Sequence, residues 1–231
     1  MVVKKDSKSL NFHLEEIHKG NRIFEDAFQG VSRMILDTGI QKITVKGKTT
    51  YQFDIFNQGK KHLVGMYDEI NSFVSFVKDA SEGGSSREMA FVLVGEPGNG
   101  KTFFVEYLCA RYREFLTIPK NRKYTFKYTN LDKLGGYGKI NFIESQTYED
   151  PMIMAMSLGE TKDQSKEILS KRFKMPVKKI DKLYDQYRPL GACSAYILNQ
   201  IREHTDNNIT KMLSFIEILP VPLIENCVHA P

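Results

Sequence analysis

Apolar positions recur along this chain at two spacings. Phe24, Ala27, Phe28, Val31 and Ile35 share one face at the helical period, and Met66, Ile70, Phe73, Val74 and Val77 do the same farther on. Between them, Tyr51, Phe53 and Ile55 alternate with polar neighbours behind a Lys46-Gly47-Lys48 turn, which predicts a β-hairpin. Tyr124, Phe126 and Tyr128 alternate in the same way and predict a strand. Residues 160–204 read as mostly helical, with breaks at Pro176 and Pro189. Residues 1–19 are polar and mixed in charge and predict a loosely held tail or the start of a helix. The stretch SEGGSSRE reads as a flexible link.

That link leads into FVLVGEPGNGKTFFVEYL, residues 91–108: a short apolar run, a glycine-rich turn, then a helical pattern. Gly95, Gly100, Lys101 and Thr102 fit the phosphate-binding loop G-x-x-x-x-G-K-[ST]. Glycines let backbone N–H groups turn inward around phosphate oxygens, and the helix behind them directs its positive end at the same place. Lys101 is placed to reach the β and γ phosphates, and the Thr102 hydroxyl to ligate Mg²⁺. The expected ligand is therefore Mg²⁺ with ATP. Strands and helices alternating around such a loop predict an α/β fold with a mostly parallel sheet flanked by helices, in which 124–128 is a second strand.

Composition adds limits. The chain has 231 residues and a formal charge of +5, from 33 basic and 28 acidic side chains. That surplus permits nucleic acid without implying it. Cys109, Cys193 and Cys227 are far apart and form no C-x-x-C pair, so neither a disulfide framework nor a zinc site is indicated. His13, His18, His62, His204 and His229 show no metal-binding spacing. No apolar run approaches the roughly 18 residues that span a bilayer, and the expected setting is a reduced cytoplasm. The segment SKRFKMPVKKIDK concentrates positive charge, and Glu144, Glu149 and Asp150 cluster in ESQTYEDP; a solvated surface accounts for both. Cys193 and Ser194 lack a neighbouring histidine and carry no claim as nucleophiles.

Taken together, LVGM before a helix, FVLVGEPGNGKTFFVEYL, KYTFKYTNL, YEDP and RPLGACSAYILNQI resemble the AAA+ module of bacterial PrkA-type serine protein kinases, over about residues 20 to 220. The resemblance implies a P-loop AAA+ core acting on protein substrates, with 1–19 as a tail, 20–231 as the ATP-binding domain and the phosphate-loop core from about residue 89. It also implies a homo-oligomer of the full-length protein. It makes Gly95, Glu96, Pro97, Gly98, Asn99, Gly100, Lys101 and Thr102 the nucleotide cradle, extended by Phe103, and sets Leu63, Val64 and Gly65 against adenine. KMLSFIEIL then supplies Glu217 as the catalytic carboxylate beside Lys101, although Ile216 stands where an aspartate is usual. The sensor, arginine and lid segments of such a module are missing after Glu217, so the fold is expected to be incomplete at its C-terminal end, with exposed sheet edges and poor solubility.

Two rival functions remain open on sequence. A nucleic-acid-dependent P-loop ATPase would use the basic segment 171–182, but no aromatic stacking platform accompanies those lysines, which counts against nucleic acid. A nucleotide-gated interaction module would bind ATP without hydrolysing it, as the missing acidic partner at Ile216 suggests.

Overall fold

The computed structural model describes residues 8–59, 62–63, 65–185 and 188–223. They divide into two compact units, one from residues 8–24 and 119–223, the other from 25–118.

The first unit begins with α1 (Leu10–His18), capped by the Ser9 hydroxyl, which accepts the Phe12 N–H at 3.2 Å. Leu10, Leu14 and Ile17 recur at helical spacing and are buried, so the part of the polar-looking N-terminal stretch from Leu10 to His18 is a packed helix. The chain then forms the whole second unit: α2 (Ala27–Thr38), β1 (Ile40–Val45), β2 (Lys48–Phe53), α3 (Tyr67–Ser81) and α4 (Lys101–Thr117). Asp26 and Gln29 close a capping box on α2. β1 and β2 pair antiparallel across the Lys46-Gly47 turn, where both residues have positive φ, as a tight hairpin requires. The core of this unit gathers Ile35, Phe53, Phe56, Ile70, Phe73, Val74 and Phe104, with Phe56 stacked on Phe104 at 5.9 Å and Phe73 edge-on to it at 5.1 Å.

Back in the first unit come β3 (Tyr124–Tyr128), β4 (Ile143–Glu144), α5 (Pro151–Ala155), α6 (Lys162–Lys171), α7 (Val177–Asp185), α8 (Ala192–His204), α9 (Ile209–Leu213) and β5 (Ile216–Pro220). Pro176 separates α6 from α7. The three strands form one sheet in the order β4-β3-β5, in which Phe126 faces Ile218 and Tyr128 faces Ile216.

This arrangement corrects the expected parallel sheet of a P-loop AAA+ core. Among the described residues both sheets are small, and every pairing is antiparallel. Alternation along Tyr124–Tyr128 fixes which face is buried but says nothing of the direction of the partner strand. Here the partner, β5, returns antiparallel, so no helical crossover is needed between paired strands. The run Phe91–Val94 belongs to neither sheet. Its alternation is real: Phe91 packs against Phe73 and Phe76 of α3, at 5.4 and 5.3 Å, and Leu93 lies on the same core. Val92 and Val94 point outward, 72% and 89% exposed.

Candidate phosphate-binding loop

Local backbone chemistry builds the loop. Gly98 and Gly100 adopt φ of 88° and 76°, a region that costs other L-residues roughly 1–2 kcal/mol, and a Cβ at either position would meet only open space. The surface is therefore kept free of side chains where an anion would approach the backbone. Gly100 is also the residue before α4, and no side chain caps the first-turn amides of that helix. The Asn99 N–H reaches the Glu96 carbonyl at 3.4 Å, closing the turn.

Lys101 folds back over this turn. Its Nζ donates to the carbonyls of Gly95 at 2.6 Å and Glu96 at 2.7 Å, so the ammonium is held within the loop by neutral acceptors. Thr102 is exposed on the first turn of α4, and its hydroxyl has no hydrogen bond among the described residues. Phe103 turns the other way: half-buried on the core of the second unit, its ring lies 5.9 Å from that of Tyr107. Glu96, Pro97, Gly98 and Asn99 are exposed.

Leu63 is buried in the core of the second unit and donates its N–H to the Phe56 carbonyl, which is a packing role. Gly65 is exposed with φ of 78°, and Val64 lies outside the described residues. Glu217 stands within β5 of the first unit, where its carboxylate bridges Lys8 at 2.9 Å and Lys127 at 3.1 Å. Those lysines hold its pKa below the ordinary glutamate value.

The acidic cluster and the two later motifs meet in a way that spacing did not disclose. Glu149 accepts from the Gly191 N–H at 2.6 Å, from the Ser145 hydroxyl at 2.9 Å and from the Ser194 hydroxyl, so one carboxylate ties YEDP to the start of α8. The sequence signal was the acidic residue itself; its partner lies 42 positions away. Ser194 thus serves as a donor to Glu149, and its carbonyl accepts from the Tyr128 hydroxyl at 2.6 Å. Asp150 caps α5 through the Met152 N–H at 2.7 Å, and burial raises its pKa to about 6. Among the described residues no group of histidine, cysteine, aspartate and glutamate is arranged to hold a metal ion, and no helix is long and apolar enough to cross a membrane. Cys109 is half-buried and Cys193 exposed, both free; Cys227 and His229 lie outside the described residues.

Comparison with protein-family models, curated proteins and solved structures finds no match to this chain.

Proposed function

We propose that residues 95–102 bind the phosphates of Mg²⁺-ATP, and that the chain acts as the ATP-binding part of an enzyme of the PrkA serine protein kinase kind, working on protein substrates. The observation that carries the ATP reading is the Lys101 ammonium lying against a turn whose glycines present bare, left-handed backbone beside uncapped helix amides. The donor set suits a triphosphate: backbone N–H groups and one ammonium, with no carboxylate hydrogen-bonded to the lysine. Thr102 would hold the metal through its hydroxyl, and Mg²⁺, when bound, supplies neutralising charge between the β and γ phosphates. On binding, the Lys101 ammonium would exchange two neutral carbonyl acceptors for charged phosphate oxygens. The protein-kinase part rests on the motif resemblance.

Calorimetric titration of Mg²⁺-ATP tests the phosphate assignment. The wild-type chain is expected to bind, Lys101→Ala to lose at least about tenfold in affinity, equivalent to about 1.4 kcal/mol, and Glu217→Gln to bind as well as wild type. Inorganic triphosphate should compete, because recognition centres on phosphate. Absence of heat at millimolar ligand, or an unaffected Lys101→Ala, would overturn the proposal. Phosphate transfer from labelled ATP to serine-containing protein, lost in Lys101→Ala, tests the enzymatic part.

A further inference from the structure

The positive surplus of this chain is concentrated in one place. Residues 162–185 carry eight basic side chains against four acidic ones, a surplus of four where the whole chain's is five. In the first unit these residues form α6, α7 and the link between them, which faces the end of α1 across two recesses. One recess, of about 580 Å³, is lined by Leu14, His18, Lys19, Arg172, Phe173 and Lys174, together with Asn11 and Glu15. The other, of about 350 Å³, is lined by Arg22, Phe24, Lys120, Lys179 and Leu183, with Ile17, Gly20, Ile23 and Met152. Both recesses lie at the end of α1, Ile17 and Gly20 lining one and His18 and Lys19 the other, with no lining residue in common; the two together are called the groove.

The charges of this groove are unevenly neutralised. Lys19 is taken by Glu16 at 3.1 Å and Glu15 at 4.0 Å. Arg172 donates only to the Thr210 hydroxyl, at 3.1 Å, and Lys120, Lys174 and Lys179 pair with no carboxylate among the described residues. The negative end of the α1 dipole is damped, because the N–H groups of Lys19, Gly20, Asn21 and Arg22 already bond its last carbonyls. Arg22 lies over the Tyr124 ring, its guanidinium carbon 3.8 Å from the centroid. Each recess also has apolar side chains in its lining, Leu14 and Phe173 in one and Phe24 and Leu183 in the other, and the two aromatic rings are half-buried against the core of the unit. Lys174 stands at the rim with φ of 53°, a conformation uncommon outside glycine.

We infer that this groove binds single-stranded nucleic acid, with Lys120, Arg172, Lys174 and Lys179 on its phosphates and Phe24 and Phe173 beneath its bases. Along the sequence these lysines stand without a stacking platform; the fold brings two aromatic rings to the basic surface. Ring and cation side by side are what an unpaired strand needs, since stacking and phosphate neutralisation act together. A duplex keeps its bases inside and would leave both rings unused. Acidic peptides are best gripped by paired guanidinium forks, whereas three of the four unpaired cations here are lysines.

The test is fluorescence anisotropy of the full chain with a labelled single-stranded oligonucleotide of about a dozen nucleotides, between about 50 and 200 mM salt. Wild type should bind at micromolar protein. Arg172→Glu with Lys174→Glu, and separately Lys120→Glu with Lys179→Glu, should each weaken binding at least about tenfold and flatten the salt dependence by about 0.7 for each phosphate no longer neutralised. Lys42→Glu with Lys48→Glu, an equal charge change on the exposed hairpin of the other unit, should have little effect. Phe173→Leu keeps an apolar side chain in the lining and should weaken binding several-fold without changing the salt slope. The groove variants should bind Mg²⁺-ATP normally, and Lys101→Ala should bind oligonucleotide normally, so this inference and the phosphate-loop proposal fail separately. It is overturned if no oligonucleotide binds, if the hairpin control is as damaging as the groove variants, if a duplex of equal length binds as well, or if polyglutamate displaces the strand as effectively as unlabelled oligonucleotide.

Discussion

His13 shows how a single buried side chain sets a pH response. Its Nδ1 lies 2.7 Å from an Arg22 guanidinium nitrogen, and because arginine only donates, Nδ1 accepts and the proton sits on Nε2. That N–H is buried with no partner among the described residues. Burial, and secondarily the Arg22 charge, lower the pKa from 6.5 to about 3. A lowered pKa on a base means that the unfolded chain takes up the proton first, so stability is whole above pH 6.5 and lost as the pH falls toward 3, at up to about 1.4 kcal/mol per pH unit. Asp150 works the other way. Its pKa is raised from 3.8 to about 6, so its contribution improves as the pH falls from 6 to 4. Between those values the two slopes oppose each other. Denaturant melts at pH 4 to 7 should therefore show His13→Gln gaining on wild type by about 1.4 kcal/mol per pH unit of acidification below 6.5; a pH-independent difference would show that His13 does not titrate on unfolding.

At the scale of elements, α2 and α4 meet at a position where only glycine fits. A Cβ on Gly30 would lie 2.6 Å from the Tyr112 hydroxyl oxygen, which is itself buried, with its pKa pushed up to about 12 chiefly by that burial. Gly30→Ala should destabilise by about 1–3 kcal/mol, and Tyr112→Phe should relieve much of that cost by removing the oxygen. A double-mutant cycle that is additive would refute the contact. Such a requirement is invisible in sequence, where Gly30 reads only as a weak helix residue. The elements themselves were largely legible: α2, the hairpin, α3 and α4 follow from the period of Ile35, Phe53, Phe73 and Phe104, and Pro176 marks the break between α6 and α7. β3 was legible as a strand, but not its partners, because Ile216 and Ile218 lie some ninety residues on and only packing pairs them with Tyr128 and Phe126. The glycine turn ahead of α4 was legible because its conformation is local; the engagement of Glu217 by Lys8 and Lys127 was not, because both contacts depend on tertiary structure.

For the molecule as a whole, two separate cores replace the single sheet anticipated from the alternation of strands and helices. One consequence is the bare outer face of Phe91–Val94, an apolar, uncharged stretch outside any sheet, with Val92 and Val94 exposed, which favours association. Val92→Thr with Val94→Lys should raise the concentration at which the protein precipitates while shifting stability by no more than about 0.5 kcal/mol. A marked fall in melting temperature would instead show that these side chains are buried in solution. In the first unit, the carboxylate of Glu149 accepts from an amide 42 positions later, and its own carbonyl accepts from Thr125 at 3.0 Å in β3. Between Asp150 and Leu190 the chain is fastened again, by Arg202 to the carbonyls of Ser157 and Gly159 at 3.0 and 3.1 Å and by Arg172 to the Thr210 hydroxyl at 3.1 Å, so the Glu149 clasp is one pin among several. Drawing that one pin would free the start of α8 from β3, while Met154, Leu169 and Ile180, sunk in the core, would keep α5, α6 and α7 seated.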